Sequence, residues 1–266
     1  MEKFGEEIEG LLSFLKSNDL EVGIASWHLT NYLVFLFIAI VVLLIVFFTA
    51  RSKAALVPKG RFYNLIELLV EFVRNDIAVA NIGPDGARYF PFLGTVFFFI
   101  LINNLIGTLP GGKPGTGTMG VTVALALVAF VMFNGAGMQK RGVGGYIKGL
   151  VPHGVPGVLW PVIWVIEVIS LLIRPFTLSI RLFANMYAGH IVLGIFSILT
   201  SIAAEQIISG IEGTGVANIA IGGIAAIAWM FLLTALYLLE IGVAILQAYI
   251  FTLLTTVYVS LAVSEH

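Results

Sequence analysis

Three stretches of this chain are uncharged and long enough to cross a bilayer, and two more apolar stretches are too long for one straight crossing. The hydrocarbon core of a bilayer takes about 20 residues of helix. Residues 29–50, 89–109 and 119–138 each supply such a run. Water-soluble domains carry about 25% charged residues, whereas here 11% are charged, 59% are hydrophobic and the mean hydropathy is +1.03. The chain reads as an all-α integral membrane protein with about five transmembrane helices and additional amphipathic surface helices.

The same composition narrows function. A net charge of -1 over 266 residues gives no electrostatic basis for a nucleic-acid partner. The absence of cysteine removes disulfides, thiolate metal sites and cysteine nucleophiles. The four histidines form no HExxH cluster, and no GxxxxGK[ST] phosphate loop occurs. No cofactor or metal is implied. The first residues are rich in acid (Glu2, Glu6, Glu7, Glu9), unlike a signal peptide, which opens with Lys or Arg before an apolar core. A bacterial inner membrane is the expected address.

Basic loops set the expected orientation, because Lys and Arg stay on the cytoplasmic side. Arg51, Lys53, Lys59 and Arg61 follow the first span, and Lys140, Arg141 and Lys148 follow the third. Residues 1–28 then form an extracytoplasmic amphipathic segment, 29–50 the first span, and 51–88 a cytoplasmic loop with its own amphipathic helix. Residues 89–138 form a helical hairpin, turned outside by Pro110, Gly111, Gly112, Pro114 and Gly115. Residues 139–157 form a second cytoplasmic loop, 158–266 the remaining membrane region, and the C-terminus is cytoplasmic. Residues 4–16 and 62–77 each gather their apolar side chains on one helical face, as helices lying on a membrane surface do.

Residues 158–173 are apolar but short, and carry Glu167. From Pro175 an apolar run reaches about residue 208, roughly 50 Å as a helix, and 216–263 would reach roughly 70 Å. Both exceed the ~30 Å hydrocarbon core. These helices must incline steeply, bend or break, with Gly222 and Gly223 as a candidate break. No internal repeat of the kind found in many secondary transporters is visible.

The polar residues inside these runs are few. Arg181 lies in the run 176–204, where a fixed cation costs from about 3 to over 10 kcal/mol at membrane depth and cannot escape by losing its proton. At about 100° per residue, Arg174 and Arg181 share a face, Asn185 stays close to it, and His190 lies on the opposite side. Glu240 and Gln247 align on the last helix. With the two helices antiparallel, His190 can face Glu240 and Gln247 can approach Arg181. Imidazole and carboxyl groups can pass protons while a guanidinium cannot, so the set resembles a proton path interrupted by a fixed charge. Each residue alone also has a structural explanation: an ion pair for Arg181, packing for His190, a neutral core acid for Glu240, interhelical bonding for Gln247, Asn103 and Asn104, and snorkelling for Glu167 and Arg174.

At these residues the chain resembles subunit a of the F-type ATP synthase. RPFTLSIRLFANMYAGH, residues 174–190, is similar to that family's signature around its arginine. LQAYIFTLLTTVYVSLA, residues 246–262, is similar to its final helix, and GPDGARYFPFLGTVFFFILINNLIGTLPG, residues 83–111, to its second transmembrane region. Residues 1–82 match in layout only. By position, the resemblance implies that Arg181 is the family's arginine, Asn185 the asparagine one turn on, and Gln247 the glutamine beside that arginine. His190 and Glu240 fall where several bacterial relatives have Glu first and His second, so the pair is exchanged here. Glu167 and Arg174 fall at positions of the cytoplasmic access path.

The resemblance further implies a stator subunit whose last two membrane helices are long and steeply tilted against a ring of c subunits. The expected partners are that ring, the peripheral-stalk b subunits, the rest of the complex and membrane lipid. Protons would arrive from outside past His190, Glu240 and Asn104, load a ring carboxylate, and leave near Glu167, with Arg181 separating the two half-channels. Nucleotide chemistry would lie on other subunits. The rival class is a self-contained cation/proton antiporter or channel.

Overall fold

The computed structural model describes residues 9, 19–20, 29–52, 60–109, 111–149, 156, 159–209 and 216–264. The amphipathic pattern at 4–16 and the lysines at 53 and 59 lie outside them. A two-residue antiparallel bridge pairs Asp19 with Thr30 and Leu20 with Leu29. Among the described residues, five helices are long and apolar enough to cross a membrane. They are α1 (Asn31–Ser52), α3 (Gly86–Gly107), α4 (Met119–Lys148), α5 (Trp160–Ser209) and α6 (Val216–Val263). Between α1 and α3 lies α2 (Arg61–Glu71), which continues through a π-helical stretch, Phe72–Val79.

The first two spans fit the bilayer closely, since 22 residues of helix rise about 33 Å. Their surroundings differ. On α1 only Ala39 and Leu43 are buried, while Phe37, Ile45 and Phe48 are exposed, as suits a peripheral helix bathed in lipid. The middle of α3 is enclosed: Leu93, Val96, Phe97, Ile100 and Leu101 join Leu178, Leu182 and Phe251 in one apolar cluster.

The apolar face of 62–77 is divided between two fates. Ile66, Val73 and Ile77 are buried, the latter two in that same cluster, whereas Phe62, Leu65 and Leu68 stay exposed. The C-terminal half of this face is thus covered by the protein itself, and only the N-terminal half is free to meet lipid. Gly86 permits the close approach where this segment meets α3, because a Cβ there would collide with the carbonyl group of Ala78. Gly86→Ala is expected to cost about 1–3 kcal/mol through overpacking, read as a lower unfolding temperature of the purified protein in detergent.

Two expectations about the C-terminal half need correction. Residues 158–173 are not a separate short element: α5 is one 50-residue helix that runs through Pro175. Proline ends helices in water because it leaves a carbonyl unbonded and crowds the preceding turn. In a membrane bundle, neighbouring helices and Ser/Thr hydroxyls compensate. Here Pro175 is itself buried; the carbonyl it leaves free is that of Leu171, four residues back, and the nearby Thr177 hydroxyl donates to a different one, that of Arg174, at 2.9 Å. Gly222 and Gly223 do not break the last helix either, since α6 is continuous over 48 residues. At roughly 75 and 72 Å, α5 and α6 far exceed one bilayer core.

The α5–α6 pair is the most extensive helix contact in the molecule. On α5 the packed face holds Leu178, Leu182, Met186 and Leu193. On α6 it holds Glu240, Ala244, Gln247, Ala248, Phe251, Thr255 and Val259. Small residues let helix axes approach, and the buried hydroxyls of Thr252, Thr255 and Thr256 bond back to carbonyls one turn earlier on their own helix.

Candidate functional site

A polar seam runs through this apolar pairing. With the 100° step of a helix, Leu178, Leu182, Met186 and Leu193 define the packed face of α5. Arg181 falls on one border of that face, His190 falls on the other, and Gly189 falls in its middle. Arg181 is exposed, and beside it Ile173, Phe176, Ile180 and Tyr187 present an exposed apolar surface. Among the described residues no hydrogen bond or ion pair holds its guanidinium.

One turn further on, Asn185 Nδ2 donates to Gln247 Oε1 at 2.7 Å, clasping α5 to α6. Gln247 therefore meets Asn185 rather than Arg181. Its own Nε2 is buried and without a partner, so the amide has a donor left over.

Glu240 is buried to 6% exposure, and the residue set against its carboxyl group is Gly189, not His190. A Cβ at position 189 would strike the carboxyl oxygens. Among the described residues no ion pair or hydrogen bond joins His190 to Glu240, and His190 Nε2 is buried without a partner. Geometry explains the substitution of partners. At the centre of the packed face the glycine leaves room for the carboxyl group, and the imidazole one residue on falls at the flank.

Asn104 closes the seam at the end near the turn between α3 and α4. It is fully buried, its Nδ2 faces the Ala244 carbonyl at 3.5 Å, and its Oδ1 accepts from Thr116 Oγ1 at 2.8 Å. Ala244 lies one turn beyond Glu240 on α6. Asn103 is also buried, with Nδ2 bonded to the Phe99 carbonyl and Oδ1 without a partner. Lys113, in the turn above, is buried to 5% exposure with its ammonium 5.6 Å from the Tyr32 ring centre. Burial pushes its pKa below the ordinary lysine value.

A separate cluster gathers Glu167 and Arg174. They form an ion pair at 3.2 Å, two turns apart on α5, and the Arg174 guanidinium sits 5.0 Å from the Tyr258 ring centre. Both are only partly exposed, so water screens the pair incompletely. Tyr146 lies within electrostatic range of Arg141, Glu167 and Arg174. It reaches this place because Gly142, at φ +71°, reverses the chain within α4. Its hydroxyl then donates to Asn134 Oδ1 at 2.9 Å.

Of the eight residues singled out in the sequence, the structure joins Asn185 to Gln247 and Glu167 to Arg174; Asn104 of α3 reaches α6 at Ala244, one turn from Glu240, and no bond links Arg181, His190 or Glu240 to any of the others among the described residues. Sequence reasoning missed Gly189, Thr116, Tyr146 and Tyr258. Gly189 had a legible signal, a small residue in a membrane helix beside an ionisable one. Thr116 had none, being an ordinary turn residue.

Fold and seam together define a polytopic α-helical membrane protein whose two longest helices enclose ionisable groups. The family model described as ATP synthase A chain matches residues 32–260, and the chain belongs to that family. It is 39% identical to ATP synthase subunit a of Myxococcus xanthus, over 99% of this chain and 79% of that protein. Identity to the subunit a of Gluconobacter oxydans is 41%, over 87% of each chain. Against the subunit a of an Anaeromyxobacter species it is 38%, over 94% of this chain but 58% of that longer protein.

Proposed function

We propose that this chain is the proton-conducting membrane stator of a rotary ATP synthase in a bacterial inner membrane, non-catalytic itself and working against carboxylates on a ring of c subunits. The observation that carries this reading is the position of Arg181. A permanently ionised group at membrane depth needs an anion or water, and within its own chain Arg181 has neither an acid partner nor an enclosing pocket of polar groups among the described residues. It stands at the edge of an exposed apolar surface. An acid carried past that edge on another subunit supplies the missing charge.

The other residues then take the roles of access paths. A proton from outside passes Asn104, Glu240 and His190 and neutralises a ring carboxylate, which thereafter tolerates lipid. After nearly a full turn the carboxylate releases its proton toward Glu167 and Arg174 on the cytoplasmic side. Arg181 holds the resulting anion and keeps the two paths from joining. The Asn185–Gln247 clasp keeps α5 and α6 in register at that point. Each proton crossing the membrane brings about 2.3 kcal/mol per 100 mV, in addition to the pH gradient. The N-terminus lies outside, α5 and α6 incline against the ring, and the b subunits hold the chain to the rest of the complex.

Purification under mild conditions tests the reading. The chain is expected to come with a ring of small hairpin subunits and to conduct no protons when separated from it. Transport by the isolated chain in vesicles would instead favour an antiporter or channel. Within the complex, Glu240→Gln keeps shape and removes the titrating group. It is expected to slow proton uptake by about 10²-fold, measured as proton flux in sealed vesicles at equal amounts of assembled complex.

A further inference from the structure

The turn between α3 and α4 folds back over the end of α3. Pro114 packs onto Gly107, where a Cβ would lie 2.6 Å from the proline ring. Gly115 fits between Leu36 of α1 and Asn103, at 2.7 and 3.1 Å from a Cβ in its place. Thr116, wholly buried, follows in a single 3-10 turn, Gly115–Gly117. These close approaches bring the Thr116 hydroxyl to Asn104.

The polarity of that contact is set from the far end. The Ala244 carbonyl can only accept, so the Asn104 amide must turn its NH2 toward α6 and its oxygen toward the turn. Thr116 must then donate. The bond to Ala244 is long at 3.5 Å and weak by itself, so the 2.8 Å bond from Thr116 is the stronger hold on the amide.

We propose that Thr116 is a positioning residue of the outer proton path: its hydroxyl, held by the Gly107–Gly115 fold of the turn, fixes the direction in which the Asn104 amide faces α6 one turn from Glu240. This rests on the reading of Asn104 as part of that path. Without the donor, Asn104 Oδ1 is left buried and unbonded, and the amide loses its preference for one orientation. Lys113 stands over the Tyr32 ring beside the turn, and Glu240 lies one turn along α6 from the carbonyl that Asn104 faces.

The test uses the assembled complex in sealed vesicles and compares proton flux per complex for Thr116→Val, Thr116→Ser and Asn104→Ala. Loss of one such hydrogen bond is expected to reduce flux roughly three- to tenfold in Thr116→Val. Thr116→Ser, which keeps the donor, restores flux to near the parent level. Flux is compared per assembled complex, so a somewhat lower unfolding temperature of Thr116→Val, expected from the unbonded Asn104 Oδ1, does not by itself account for the lost flux. Reduced flux in Asn104→Ala with parent-level flux in Thr116→Val overturns the positioning role alone. Parent-level flux in Asn104→Ala overturns the outer-path reading beneath it. Equal loss in the Val and Ser variants also overturns the proposal, because the hydroxyl would then not be the cause.

Discussion

Arg181→Ala is expected to abolish ATP synthesis by the assembled complex while leaving the complex intact. The side chain is exposed and unpaired within its own chain among the described residues, so its removal opens no core cavity and orphans no hydrogen-bond partner. Destabilisation is the usual way a mutation abolishes function, and it has little purchase here. On the stator reading proposed above, what is lost is the charge that draws an acid into ionised form at the border of α5. With alanine there, that reading leaves a ring carboxylate no counter-ion at the point where it must shed its proton, and rotation is expected to lose its direction. Passive proton leak through the seam is expected to persist or rise, because the barrier between the two paths is gone. Arg181→Lys is expected to fail as well. A desolvated lysine can surrender its proton, and it lacks the planar fork that bonds a carboxylate on two sides. Synthesis and leak measured in the same vesicles separate this account from a purely structural role, which predicts loss of assembled complex instead.

Gly189→Val is expected to be nearly as severe for a different reason. Position 189 sits in the middle of the packed face of α5, directly against the Glu240 carboxyl group. A side chain there must push the acid aside or force the helices apart. The atoms in the way are the far end of the flexible Glu240 side chain, so the fold can yield by moving the acid, and what changes is the place of a nearly buried carboxyl group. The milder Gly189→Ala is expected to reduce proton flux more than tenfold, since a misplacement of about 1 Å can cost 10²-fold. Combining Gly189→Ala with Glu240→Asp, whose chain is one methylene shorter, is expected to recover part of the flux. Flux in the double variant no higher than in Gly189→Ala would show that steric contact between the two positions is not the cause.

Much of this arrangement is legible in the sequence because a bilayer imposes strong constraints. Apolar length alone marks α1, α3 and α4, and the 100° step places Arg181 and His190 on opposite borders of α5. Pro175 misleads, because its effect on a helix depends on whether neighbours can bond the freed carbonyl. The amphipathic pattern of 62–77 reveals a face but not its cover, and the structure divides it between α3 and open surface. Pairing of Glu240 is misread for a related reason. Periodicity identifies the polar residues near a seam, whereas what lies against a given acid depends on the room a residue without a side chain leaves, here Gly189. The Thr116–Asn104 contact is invisible beforehand, since it depends on how the turn folds back over Gly107 and Gly115.

The most direct test of the account is an experimental map of the assembled complex at side-chain resolution, centred on Arg181. The account predicts a carboxylate of a neighbouring ring subunit within a few ångströms of the guanidinium, with aqueous openings on either side that do not join. An Arg181 bonded to an acid of its own chain, with lipid or an immobile subunit against that edge of α5, would contradict it.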